Sequence, residues 1–185
     1  ICREGFIETE SKMYIKPKKF YGALLPLLNK KTPMKENCGD LCGARCCKDS
    51  DEGEGMYLYP HETEYLGDMS DFAKIFLSDF QVCGKRTEIL TCDGNCIREK
   101  RPLACRIFPL VPYISPEGDF SVIFDPRAYS MCPLAKKGVG RSFSERVYFV
   151  CKALLKVSEC REFIFEQSRI IDDYIEMKRN FFYKK

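Results

Sequence analysis

Four cysteines, Cys38, Cys42, Cys46 and Cys47, fall within the ten residues CGDLCGARCC. The chain carries twelve in 185 residues, and eight of them lie in residues 38–47, in residues 92–105 and at 132. Thiols gathered this way either close as disulfides in an oxidising compartment or ligate metal in a reducing one. A disulfide framework staples a chain too small to bury a core. A chain of this length buries roughly 70% of the surface its unfolded form exposes and needs no staples. Size and clustering together favour metal ligands.

Charge and hydropathy remove other classes. Thirty Lys and Arg against twenty-seven Asp and Glu give a net charge of +3, too balanced to point to nucleic acid. The locally basic run of Lys16, Lys18, Lys19, Lys30, Lys31 and Lys35 reads as a solvated face. The longest apolar run, GALLPLL, is interrupted by Pro26 and falls far short of the ~18 residues that span a bilayer. No segment joins a basic start, an apolar middle and a small-residue cleavage site, so a cytoplasmic protein is expected.

Periodicity predicts an α+β fold, a mostly α-helical single domain with a small β-hairpin and irregular metal-binding loops. Residues 17–29 read as a short helix or turn with Leu24, Leu25, Leu27 and Leu28 in the core. GMYLYP reads as a short strand, and Pro60 suits the first turn of a helix running to about Leu66. SDFAKIFLSDF, residues 70–80, reads as another short helix capped by Ser70 or Asp71. LVPYIS and FSVIF flank the turn PEGD and predict a hairpin, with Pro112 marking an edge strand. Two helices close the chain, from about 143 to 156 and from about 159 to 180. Ser142 and Glu145 have capping-box spacing before the first of them.

Soft sulfur suits both Zn²⁺ and the iron of iron–sulfur clusters, so the thiols do not choose between zinc and an iron-sulfur cluster. Cys38, Cys42, Cys46 and Cys47 come from one loop, Cys92, Cys96 and Cys105 from a second, and Cys132 from just past the hairpin. Eight thiols make two sets of four. Adjacent side chains in extended backbone diverge, so Cys46 and Cys47 are expected to serve different centres. Either metal leaves about −4 of formal charge on two such centres. Arg101 and Arg106 are the expected donors around it, to sulfur or to nearby backbone. Cys151 and Cys160 lie at helical positions and read as core or free thiols, Cys83 stays open as a further ligand, and His61 reads as solvent-facing. The spacing C-x3-C-x3-CC is neither the C-x2-C zinc knuckle, nor the C-x3-C-x2-C run of radical S-adenosylmethionine enzymes, nor the bacterial ferredoxin run. No serine elbow or Gly-rich loop after a strand is present to suggest a hydrolytic triad or a nucleotide site.

CGDLCGARCC, then YLYPHE, then CDGNCIREKRPLACRIFPL and finally CPLAKKG resemble the YkgJ-like cysteine-cluster proteins, the CxxCxxCC family of zinc- or iron-chelating domains. The element RP-x2-CR-x-FP, from Arg101 to Pro109, is the most specific part, and the match covers about residues 36–140. The resemblance implies eight metal ligands: Cys38, Cys42, Cys46, Cys47, Cys92, Cys96, Cys105 and Cys132. The first gap of the family is often two residues; here both gaps are three. A more distant resemblance is to flagellin lysine N-methylases, which share a doublet and a later Cys-Pro.

The expected organisation is an N-terminal segment, 1–35, packed on a cysteine-cluster metal-binding domain, 36–140, with 141–185 as its C-terminal helical segment. The expected function is a metalloprotein with two cysteine-ligated centres, iron–sulfur before zinc, acting in electron transfer or in redox-assisted modification of a protein partner. The alternatives are a zinc-stabilised interaction module without catalysis and a lysine N-methylase-like enzyme.

Overall fold

The computed structural model describes residues 16–34, 39–43, 45–46, 55–92 and 98–183. The architecture is mixed, with helices and two small antiparallel sheets. Helix α1, Pro17–Leu24, starts at a proline whose fixed φ suits a first turn. It runs into a 3₁₀ turn, Leu25–Leu28. Tyr21, Leu24, Leu25 and Leu28 are buried, as the leucine spacing predicts, while Leu27 is half-buried. After the single helical turn α2, Gly39–Cys42, comes the short strand β1, Met56–Tyr57. Helix α3, Glu62–Leu66, follows Pro60 and is preceded by His61 in a left-handed conformation.

Residues 70–80 are not a helix. Strand β2, Ala73–Val82, pairs antiparallel with β3, Lys85–Cys92, and β3 pairs in turn with β1. Cys83 and Gly84, both with positive φ, make the two-residue turn of this hairpin. The order β1-β3-β2 leaves β2 at an edge. Ile75, Phe76 and Leu77 are all exposed on it, and the register breaks between Leu77 and Gln81. A strand exposed on both faces has no period-two pattern to read, so spaced aromatic residues imitate a helix.

The second hairpin is where the sequence places it. Helix α4, Leu103–Ile107, leads into β4, Leu110–Ile114, which pairs with β5, Phe120–Phe124. Gly118, at φ +94°, makes their turn. A 3₁₀ turn at Pro126–Ser130 and helix α5, Leu134–Lys137, precede the two long helices, α6 at Arg141–Leu154 and α7 at Ser158–Tyr183. Phe143, Val147, Val150 and Leu154 form the buried stripe of α6, each worth about 2 kcal/mol of burial. The expected capping box does not form. Gly140 is the N-cap, Ser142 Oγ accepts from Lys31 Nζ at 2.8 Å, and Glu145 pairs with Arg141. Gly140 also donates its backbone N–H to the Pro33 carbonyl, so the segment after the first 3₁₀ turn is held against the start of α6.

Glu62 links these layers. It is fully buried, accepts from the Tyr59 N–H at 3.0 Å and from the Leu103 N–H at 2.5 Å, and so joins α3 to the first turn of α4. Burial raises its pKa from 4.5 to about 7, against the pull of those two N–H groups and of the Arg106 charge. The folded chain therefore keeps this proton to higher pH than the unfolded chain does. That advantage is complete below about pH 4.5 and is lost as pH rises through 7. Glu62→Gln removes the titration. Urea melts should show the stability of the native sequence, relative to that variant, falling by about 3 kcal/mol between pH 4.5 and 7. Parallel profiles would mean that Glu62 does not titrate there.

Candidate metal centre

Five of the eight expected ligands are described, and they come from four parts of the fold. Cys42 ends α2 and Cys46 follows it in a turn. Gly43, at φ +63°, takes the left-handed conformation that glycine favours just after α2. Cys92 is the last residue of β3, opposite Ala73 of β2. Cys105 lies in α4. Cys132 follows the 3₁₀ turn and donates its N–H to the Ala128 carbonyl at 2.8 Å. Cys42, Cys46, Cys92 and Cys105 line one cavity of about 810 Å³. Cys42, Cys46 and Cys132, with Phe108, Met131, Pro133 and Leu134, line a second of about 20 Å³. The two cavities share Cys42 and Cys46. All five residues are half-buried thiols rather than disulfides, so Cys46 is not half of a strained vicinal disulfide. Cys38, Cys47 and Cys96 lie outside the described residues, and with them the expected divergence of Cys46 from Cys47. Among the described residues, no three His, Cys, Asp or Glu side chains stand close enough to hold a metal ion by themselves.

The remaining cysteines separate by environment. Cys151 and Cys160 are buried in the core. Burial pushes both thiols up, Cys160 to about 12, so they stay protonated and are poor ligands. Cys83 is exposed at its hairpin turn and is disulfide-bonded, away from both cavities. His61 is exposed and pairs with Glu64 at 2.9 Å, as expected of a solvent-facing residue.

Arg101 and Arg106 both line the large cavity, and the contacts of Arg106 run to backbone and amide groups. Its guanidinium, only 3% exposed, donates to the Glu99 carbonyl (2.6 Å), the Arg101 carbonyl (2.6 Å) and the Leu25 carbonyl (3.1 Å), and also to Asn29 Oδ1. A planar fork with five donors can make these four bonds across two segments; an ammonium, with three N–H groups, cannot make all four. Arg106 thus locks α4, with Cys105 one residue away, to the end of the 3₁₀ turn after α1. Arg101 is half-buried and supplies one of the bound carbonyls.

No protein-family model, curated protein or solved structure matches the chain significantly. The chemistry of the site is therefore read from its own residues. Asp125 caps the 3₁₀ turn through the Arg127 N–H and holds the Arg127 guanidinium at 2.7 Å. Both residues line the large cavity, as does the exposed Arg45. Among its described lining residues, four guanidiniums stand against one carboxylate, so the wall of the large cavity is positively charged. The Asp125–Arg127 pair, two residues apart just after β5, was open to a sequence reading through its Asp-Pro-Arg turn.

Arg106→Ala should destabilise the chain by roughly 3 kcal/mol, because it takes the donor from the buried Leu25 carbonyl and from the part-buried Glu99 and Arg101 carbonyls and removes a positive charge that acts on Glu62. Arg106→Lys should recover little of this in chemical denaturation. Near-native stability of either variant would show that the clamp is dispensable.

Proposed function

We propose that the chain is a cytoplasmic metalloprotein, a single domain whose irregular loops hold two four-cysteine centres, iron–sulfur in type. Its role is electron transfer or redox-assisted modification of a protein partner. One observation carries this reading: thiols from residue 42 to residue 132 line two adjoining cavities that share a loop. Soft sulfur donors, flanking guanidiniums and partly apolar walls fit such a group. A cluster would supply one-electron chemistry. The chain's own part is to fix the thiol-bearing elements, offset their negative charge with arginine and limit water. Cys38, Cys47 and Cys96, which the resemblance to YkgJ-like proteins adds, bring the set to eight. No helix among the described residues is long and apolar enough to cross a membrane.

A zinc-stabilised interaction module is the second reading. The small cavity favours it, because Phe108, Met131, Pro133 and Leu134 close around three thiols as they would around a structural ion. The large cavity favours a working centre with open access. Anaerobic purification with iron, sulfide and zinc analysis decides between them. About eight irons with matching sulfide support the clusters, and about two zincs support the module. Cys105→Ser should lower metal content and loosen the fold, while Cys151→Ser, in the core, should leave metal content unchanged. Folded protein without metal, or equal loss in both variants, would sink the ligand assignment.

A further inference from the structure

Helix α7 outruns the domain it packs on. The last of its buried residues is Ile171, yet the helix continues to Tyr183, about 18 Å further along its axis. From Glu176 to Phe181 every residue is exposed. Two of them are large and apolar: Met177 is 57% exposed and Phe181 75%. They stand four residues apart and so share one side of the helix, with the exposed Ile170 two turns before Met177 on that side. The charge of the helix changes sign at the same point. Residues 158–176 carry six Asp and Glu against two Arg, whereas residues 177–185 carry Lys178, Arg179, Lys184 and Lys185 and no acidic residue. Cations near a helix C-terminus answer its dipole. The dipole does not call for an exposed methionine and phenylalanine among them.

We propose that the end of α7 docks the protein on the surface of an anionic lipid bilayer. Met177 and Phe181 enter the headgroup layer, and the cations around them meet lipid phosphates and carboxylates. Size argues against a protein partner on this segment. A stable protein interface takes about 20–30 residues a side, and the projecting turns offer far fewer. A bilayer surface needs no shaped counterpart. Charge sets the approach: Asp172, Asp173 and Glu176 are repelled by the surface that attracts Lys178 and Arg179, so the helix meets it tip first rather than lying flat. The attachment is peripheral, since no helix among the described residues is long and apolar enough to cross a membrane. The proposal does not rest on the metal reading, because the tip of α7 takes no part in either cavity.

Co-sedimentation of the whole chain with vesicles tests this. The protein should bind vesicles of phosphatidylcholine mixed with phosphatidylserine, bind phosphatidylcholine alone far less, and come off in ~1 M salt, where the Debye length is about 3 Å. Lys178→Gln combined with Arg179→Gln should weaken binding about 30-fold, at roughly fivefold per cation. Met177→Ser combined with Phe181→Ser leaves the charge unchanged and should weaken it about tenfold or more. Both double variants should melt with the native chain, because the replaced side chains are exposed. No binding to anionic vesicles, equal binding to neutral ones, or undiminished binding by either variant would overturn the proposal. A lower melting temperature in the variants would also overturn it, by showing that the tip packs on the domain. So would sedimentation equilibrium showing a dimer that the Met177 and Phe181 changes dissolve, which would give this face to a second copy.

Discussion

A carboxylate taken wholly out of water holds the centre of this molecule together. Glu62 accepts one N–H from the turn that starts its own helix and one from the first residue of α4. Helix α4 is a little over one turn long and has no stability of its own. It exists because Glu62 caps its start and because Leu103 and Ile107 are buried in the core. Arg106 then fastens the other side of the helix to the carbonyls of Leu25, Glu99 and Arg101. Two buried ionisable groups at such close quarters are expensive to desolvate. What they achieve is position: Cys105 lies in a helix that can neither slide nor rotate.

The other thiols lean on similar supports. Cys92 takes its place from the end of a paired strand, and Cys132 from a 3₁₀ turn capped by Asp125. Cys42, at the end of α2, and Cys46, in a turn, are the cysteines that both cavities share. Thiols from a strand end, a helix and the residue after a 3₁₀ turn thus line the same cavities as Cys42 and Cys46. Preorganisation of this kind suits ligands that must meet at fixed distances.

Much of the fold was legible because its signals were local or periodic. The leucines of 24–28, the Pro-Glu-Gly turn and the stripes of α6 and α7 each bury or turn where their spacing says. The β2–β3 hairpin was not legible. Its turn is Cys-Gly rather than Asn-Gly, and its edge strand exposes three apolar residues in a row. That Cys42, Cys46, Cys92 and Cys105 line one cavity, and Cys42, Cys46 and Cys132 another, was not legible, because it depends on how distant segments pack. Nor was the role of Glu62, because burial of a charge depends on contacts forty residues away.

The sharing of Cys42 and Cys46 between the two cavities also orders events during synthesis. The chain emerges from its amino end, and Cys42 and Cys46 are made long before Cys132 and longer still before α7. Until those later segments arrive, the early thiols have no enclosing wall and no neighbouring guanidinium from Arg106 or Arg127. The interval between translation and final packing is thus the period in which these sulfurs are open to oxidation.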